Sequence, residues 1–249
     1  MDVSDFPAGG YRFIHGVFQY SAGVAALPGF RIVRVRFQTP VPLAEGFRRI
    51  DAIVTGAGRP LTAFCACELR SPKPFTEDGF RAFNQIYVVT LKAWGLVEGE
   101  RNPVGRSNVC PAMEPPPEPS IYSFCYTVPE DDGNTMPMFV ISGSAEAAEG
   151  GPGYTIVRAN DTSADAMREK AVFVLGNMEK RMAALGFTWR DTTATQVYSV
   201  QDIHPFVGDE LVRRGAAQAG LTWHYCRPPV AGLEYEMDCR AITTEHVTV

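Results

Sequence analysis

The chain reads as an α+β protein of two tandem, related units, each a mixed β-sheet packed by two helices. Two observations predict this. The order strand–strand–helix–strand–helix–strand–strand occurs twice at a period of about half the chain, which is the pattern a duplication leaves. The 249 residues, 45% of them hydrophobic, suffice for one large core or two modest ones. PEDDGNTMP, Pro129 to Pro137, marks the junction, so units are expected over 1–130 and 131–249.

Strand-like runs at Val17 to Ala26 and Phe30 to Gln38 open the first unit, broken at Pro28-Gly29. Leu43, Phe47, Ile50 and Val54 at helical spacing predict a helix over Leu43 to Thr55, stopped by Gly56 and Gly58. Leu61 to Leu69 reads as a buried strand. Thr76 caps a second helix to Trp94, with Phe80, Phe83, Tyr87, Leu91 and Trp94 as its stripe and Gly95 at its end. Strands follow at Gly105 to Cys110 and Ile121 to Val128. PAMEPPPEP between them fits neither helix nor central strand and predicts a stiff exposed loop. In the second unit, Met138 to Glu146 and Tyr154 to Ala159 suit a strand pair with a Gly-rich connection. Thr162 and Asp165 suggest a capping box for a helix whose apolar face is Ala171, Leu175, Met178, Met182 and Leu185, before Gly186. Thr193 to Val200 is a strand, Pro205 to Ala217 a helix diluted by Gly208 and Gly215, and Leu221 to Cys226 and Leu233 to Ile242 are strands.

Composition narrows the function. A net charge of -5 without a basic stripe argues against nucleic acid as a partner. MDVSDFPAGG is not a signal peptide, and no apolar run approaches the roughly 20 residues of a membrane span, so no membrane partner and a cytoplasmic location are expected. The six cysteines form no C-x-x-C and the four histidines no metal-ligand spacing; the plain reading is buried, reduced thiols, with a structural zinc or catalytic thiol as alternatives.

Arg106 in NPVGRSNV and Arg227 in HYCRPPV fall at matching places, on the penultimate strand of each unit. A guanidinium is a planar, permanently charged fork that clamps a carboxylate through paired hydrogen bonds. An ordinary salt bridge explains either arginine alone; the matched placement argues for a site. LEYEMDCRAI alternates Glu234, Glu236, Asp238 and Arg240 against Leu233, Tyr235, Met237 and Cys239. Asp238 and Arg240 read as a solvated face. Glu234 and Glu236 fold back beside Arg227 and are candidates to orient or deprotonate a water. Asn84 in the second helix, Ser142-Gly143 at a strand end, His224 on a strand and Tyr20 at a polar break are further candidates for substrate contact, each equally at home as a structural residue.

These segments resemble the Rid family of enamine and imine deaminases. Val140 to Ser144 is similar to its V-S-G-Q strand end, and Asn84 to Tyr87 to its N-x-x-Y helix. Pro103 to Val109 is similar to its P-x-R-[ST]-x-V strand with one extra residue, Arg227 to Val230 loosely so, and Leu233 to Glu236 resembles its closing L-E-I-E. The double unit and the WHYCRPPV…LEYEMD ending are most similar to the 2-aminomuconate deaminases, including those acting on chlorinated aminomuconate. The resemblance implies a chorismate-mutase-like fold, a trimer of two-unit chains or a larger homo-oligomer, an amino-dicarboxylate substrate, and chemistry without metal or organic cofactor. Repeat one lacks the glutamate and repeat two the N-x-x-Y, so either a complete site is assembled from both kinds of repeat across an interface or only one class of cleft works. Arg227, beside the acidic strand, is the preferred catalytic arginine, and Arg106 completes a shared cleft. The alternatives are general enamine clearance and a non-catalytic module that binds carboxylate metabolites.

Overall fold

The structure is a computed structural model in which residues 1–130, 136–148 and 155–249 are described. Three short strands, β1 (Val3–Phe6), β2 (Tyr11–Ile14) and β3 (Gly23–Ala26), precede a long β4 (Phe30–Pro42). Helix α1 (Leu43–Gly56), β5 (Phe64–Arg70), α2 (Glu77–Ala93), β6 (Gly105–Pro111) and β7 (Ser120–Pro129) complete the first half. The second half holds β8 (Phe139–Ala145), the two-residue β9 (Ala147–Ala148) and β10 (Thr155–Ile156), and the long α3 (Ala164–Leu185). After it come β11 (Ala194–Tyr198), the single-turn α4 (His204–Phe206), β12 (Leu221–His224), β13 (Cys226–Arg227), β14 (Glu236–Ala241) and β15 (Thr244–Thr248).

The duplication is visible in the pairing. In the first half β4, β7, β5 and β6 lie side by side, joined antiparallel, antiparallel and parallel. In the second half β8, β14, β11 and β12 repeat that order and those senses. The sheets then exchange edges. β1, β2 and β3 extend the second sheet through β3 on β8, while β13 and β15 flank the first on β6 and β4.

The layers run helix, sheet, sheet, helix. α1 and α2 bury Phe47, Ile50, Tyr87 and Leu91 on the first sheet, and α3 buries Val174, Leu175, Met178 and Met182 on the second. Between the sheets lies a small apolar cluster, including Phe13, Ile32 and Cys65, beside a polar layer. There Ser107 and Tyr198 donate to Asp238 Oδ2 at 2.6 and 2.9 Å, Gln196 donates to its Oδ1 at 2.7 Å, and Arg34 forks onto Glu68 at 2.6 and 3.0 Å. Asp238 and Arg240 therefore do not form a solvated face: Asp238 is 4% exposed, because the second face of β14 is covered by the other sheet.

Local departures from the expected elements have local causes. Only Gly23–Ala26 of the run from Val17 is strand, since the loop before it is strapped to the lead-in of β6 through Ser21 N–H to Val104 O at 2.8 Å. Ser163, not Thr162, caps α3, its Oγ accepting from Ala166 N. The strand expected from Tyr154 is reduced to β10, and Arg158 and Asn160 beyond it take positive φ. The helix expected from Pro205 is one α-turn followed by a π-helical stretch, Val207–Val212. β14 starts at Glu236 rather than Leu233 because the Glu146 carboxylate takes the N–H groups of Glu234 and Tyr235, at 2.6 and 3.1 Å. Residues 131–135 and 149–154, which include the centre of the expected junction, the Gly-rich connection and Tyr154, lie outside the described residues. All six cysteines are free and buried, and burial pushes thiols such as Cys67 and Cys125 up to about 11 and about 12, so they pack as small apolar groups.

Candidate active site

A bulge in β8 organises the largest concentration of candidate residues. The register between β14 and β8 slips between Met237 and Cys239, so Ser142 and Gly143 together oppose Asp238. An extra residue re-aims backbone and side chains, and bulges gather near sites for that reason. Here Ser142 Oγ donates to Ser21 O at 2.7 Å and accepts from Arg106 N at 3.0 Å. Ser142 thus ties the loop, β8 and β6 together and is a fastening residue. Gly143 is required by space: a Cβ there would overlap the Glu236 carboxyl and come within 3.3 Å of Ser107 Cα.

Arg106 is the second residue of β6, paired with Cys67 of β5. Strand alternation sends Ser107 into the layer between the sheets and Arg106 toward α2. Its Cζ stands 4.8 Å from the Tyr87 ring, 4.9 Å from Tyr20 and 5.6 Å from Phe80, an aromatic collar that attracts a cation through the ring quadrupoles. Arg106 is 2% exposed, and its Nη1 has no hydrogen-bond partner among the described residues. A buried charged donor without a partner is costly, and an anionic ligand removes that cost.

Glu236 is 4% exposed on β14. Burial pushes its carboxyl well above the usual range, and the nearby Asp238 and Glu146 push the same way, against Arg106 and Arg70. Burial thus favours its protonated form relative to an ordinary glutamate. Behind it Glu146, fully buried with Lys170 of α3 at 3.3 Å, fixes the backbone that leads into β14.

Arg106, Glu236, Gly143 and Tyr20 line one cleft of about 370 Å3, together with Arg181 of α3 and His15. The cleft draws on both halves of one chain. Asn84 opens on an adjoining cleft that shares Phe80 and Val230 with the first; it is 1% exposed and its Oδ1 has no partner among the described residues.

The other candidates are not brought to this cleft. Arg227 does not share the place of Arg106: it lies past β12 on β13, which crosses to the other sheet opposite Cys110. Its side chain is 45% exposed and pairs with Glu234 at 3.3 Å, where Gln201 also donates at 3.0 Å. His224 is stacked on Tyr198 and bonded to Gln196 at 3.0 Å; burial, with Arg70 nearby, depresses its imidazolium to about 4. Among the described residues no cluster of three or more His, Cys, Asp or Glu side chains could hold a metal, and no helix is long and apolar enough to cross a membrane.

Sequence reasoning missed His15 and the α3 wall. Phe173, Asn177 and Arg181 recur every four residues and share one helix flank. That spacing was available, but the neighbouring apolar stripe drew attention to the core face.

The profile of the family described as 2-aminomuconate deaminase CnbZ matches residues 3–246. A 2-amino-5-chloromuconate deaminase of Comamonas testosteroni is 50% identical over 248 residues, 99% of each chain. Among solved structures, a chorismatase aligns at TM-score 0.46 with 12% identity, over 88% of this chain and 77% of its own. A YjgF/YER057c/UK114 family member of Mycobacterium tuberculosis aligns at TM-score 0.30 with 18% identity, over 44% of this chain and 82% of its own.

Proposed function

The chain belongs to the 2-aminomuconate deaminase family, whose chemistry breaks a C–N bond, and from that premise we propose that the Arg106–Glu236 cleft hydrolyses a 2-aminomuconate-type enamine to the 2-oxo acid and ammonia. The observation that carries the reading is the joint presence, in one cleft, of a buried guanidinium whose Nη1 has no hydrogen-bond partner among the described residues and a buried carboxyl whose pKa is raised by its burial. Arg106 pairs with the carboxylate beside the C–N carbon. Glu236 gives its proton to the enamine carbon, producing the iminium tautomer, and the resulting carboxylate takes a proton from the water that attacks the imine carbon. Returned to the amine nitrogen, that proton lets the carbinolamine collapse to the ketone and expel ammonia, and the proton leaving its hydroxyl group restores the Glu236 acid. Iminium ions hydrolyse readily, so placement and proton management do most of the work.

The test is ammonia release from 2-aminomuconate and its 5-chloro analogue by the purified protein. Glu236→Gln is expected to lower kcat by roughly 10²–10⁴-fold. Arg106→Gln is expected to lower kcat/KM by at least about tenfold, since each charged hydrogen bond contributes roughly 1.5–3 kcal/mol. Full activity in either variant removes that residue from the mechanism. The same reading includes units at 1–130 and 131–249, a cytoplasmic location, and a homo-oligomer, a trimer in the first instance, which light scattering on the purified protein reads directly.

A further inference from the structure

Asn108 stands two residues beyond Arg106 on β6, opposite Leu69 of β5, and lines the same cleft as Arg106 and Glu236. Strand alternation gives it the face of Arg106. The orientation of its amide is set by Ser71, whose Oγ donates to Asn108 Oδ1 at 2.9 Å. That bond turns Nδ2 away from Ser71, and there it has no hydrogen-bond partner among the described residues, although Asn108 is only 3% exposed. A buried amide N–H without an acceptor is costly, so this one calls for an oxygen that arrives with the ligand.

The neighbours say which oxygen. Successive same-face residues of a strand stand about 6.6 Å apart along it, and the Arg106 guanidinium leaves β6 for the collar of Tyr87, Tyr20 and Phe80. The two donors therefore address different atoms of one ligand. The Glu236 carboxyl is in electrostatic reach of Arg106 on one side of Asn108 and of Cys110 on the other, so it lies beside the stretch whose middle is Asn108. An oxygen placed between Glu236 and Asn108 is the one whose protons Glu236 handles, not the carboxylate that Arg106 holds.

We propose that Asn108 is a further catalytic residue of the deamination: its Nδ2 donates to the oxygen that begins as the attacking water and ends as the ketone. The inference rests on the deaminase reading of this cleft. An amide N–H suits the task because it grips an oxygen lone pair and cannot take a proton, which leaves the proton transfers to Glu236. Its grip matters most when the carbinolamine collapses. The C–N electron pair then leaves with the protonated nitrogen, an oxygen lone pair closes the C=O bond, and the hydroxyl proton passes to Glu236. A fixed N–H aimed at that oxygen stabilises the negative charge gathering there as the proton leaves.

The test separates hydrolysis from the earlier protonation of carbon. Ammonia release from 2-aminomuconate gives kcat and KM, and deuterium uptake at the enamine carbon of unreacted substrate, followed by NMR in D2O, reports the carbon protonation alone. Asn108→Leu is expected to lower kcat by roughly 10²–10³-fold with KM little changed, while deuterium still enters the substrate. Glu236→Gln is expected to lose both. A raised KM with kcat near wild type would make Asn108 a partner of the carboxylate, and joint loss of ammonia release and deuterium uptake would make it a support for Glu236 or for the fold. Either result, or a wild-type kcat, overturns the proposal. If Asn108→Leu does not fold, Asn108→Ala is read in the same way. Wild type that releases no ammonia defeats the deaminase reading and Asn108 with it, whereas an active wild type beside an equally active variant defeats Asn108 alone.

Discussion

Gly143 and the Glu236 carboxyl occupy one small volume, so the residue at 143 controls where the acid points. In Gly143→Ala the new methyl group and the carboxyl cannot both stay, and the side chain is the softer partner. Ammonia release is expected to fall by roughly 10²-fold or more, as when a general acid is displaced, with the circular dichroism spectrum unchanged. A variant with wild-type kcat would mean that the carboxyl is not used where it stands. Glu236 also carries a pH signature. Its folded pKa is raised, so the native state binds more protons than the unfolded one, and stability falls as pH rises from the ordinary glutamate range toward the folded value. Glu236→Gln removes that loss: its melting temperature is expected to exceed wild type at pH 8 by more than at pH 5, while its activity is poor. Arg227→Ala, by contrast, removes a half-exposed pair worth at most about 1 kcal/mol and should leave kcat/KM near wild type. The motif around Arg106 was legible in the sequence. The different placement of the two arginines was not, because nearness to acids along the chain says nothing about which strand crosses to the other sheet.

The element that sets the acid in place is the lead-in to β14. Leu233 to Ile242 has the alternation of a complete strand, yet the N–H groups of Glu234 and Tyr235 go to the Glu146 carboxylate. Lys170 of α3 supports that carboxylate at 3.3 Å and donates to Val157 O at 2.7 Å. Both side chains are fully buried, so removing one strands the charge or polarity of the other. Lys170→Met is expected to cost roughly 3–5 kcal/mol in urea unfolding, against a fraction of that for an exposed lysine such as Lys180. A loss under about 1 kcal/mol would show that the turn is held by its other contacts. Elements with a single strong period were readable for a physical reason: α2 needed only its stripe, its Thr76 cap and a glycine stop, all local. β15 was not, because TEHVT carries no buried alternation; it is a strand through its parallel partner β4, some two hundred residues away. Alternation in β14 likewise announced two faces without saying that the second was covered by another sheet.

At the scale of the molecule, the repeat and the fold diverge. Each half contributes the same four-strand core, but neither keeps its edges to itself. β3 from the first half pairs with β8, and β13 and β15 from the second half pair with β6 and β4. The cleft inherits this exchange: Arg106 and Tyr20 come from one half, Glu236, Gly143 and Arg181 from the other. Long-range pairing of this kind leaves no mark in any local window of sequence, which is why two units were predictable and their interlocking was not. It also gives the halves a shared fate. Cutting the chain between Glu130 and Asp131 and producing either piece alone uncovers β8 on one side and β4 and β6 on the other, together with the apolar and charged residues buried between the sheets. Exposed edges of that kind associate nonspecifically. Each half alone is therefore expected to aggregate, whereas co-expressed halves should copurify as a complex with a single cooperative melt and measurable ammonia release. Two independently soluble halves, each with its own melt, would show that the exchanged strands contribute little and that the units fold alone.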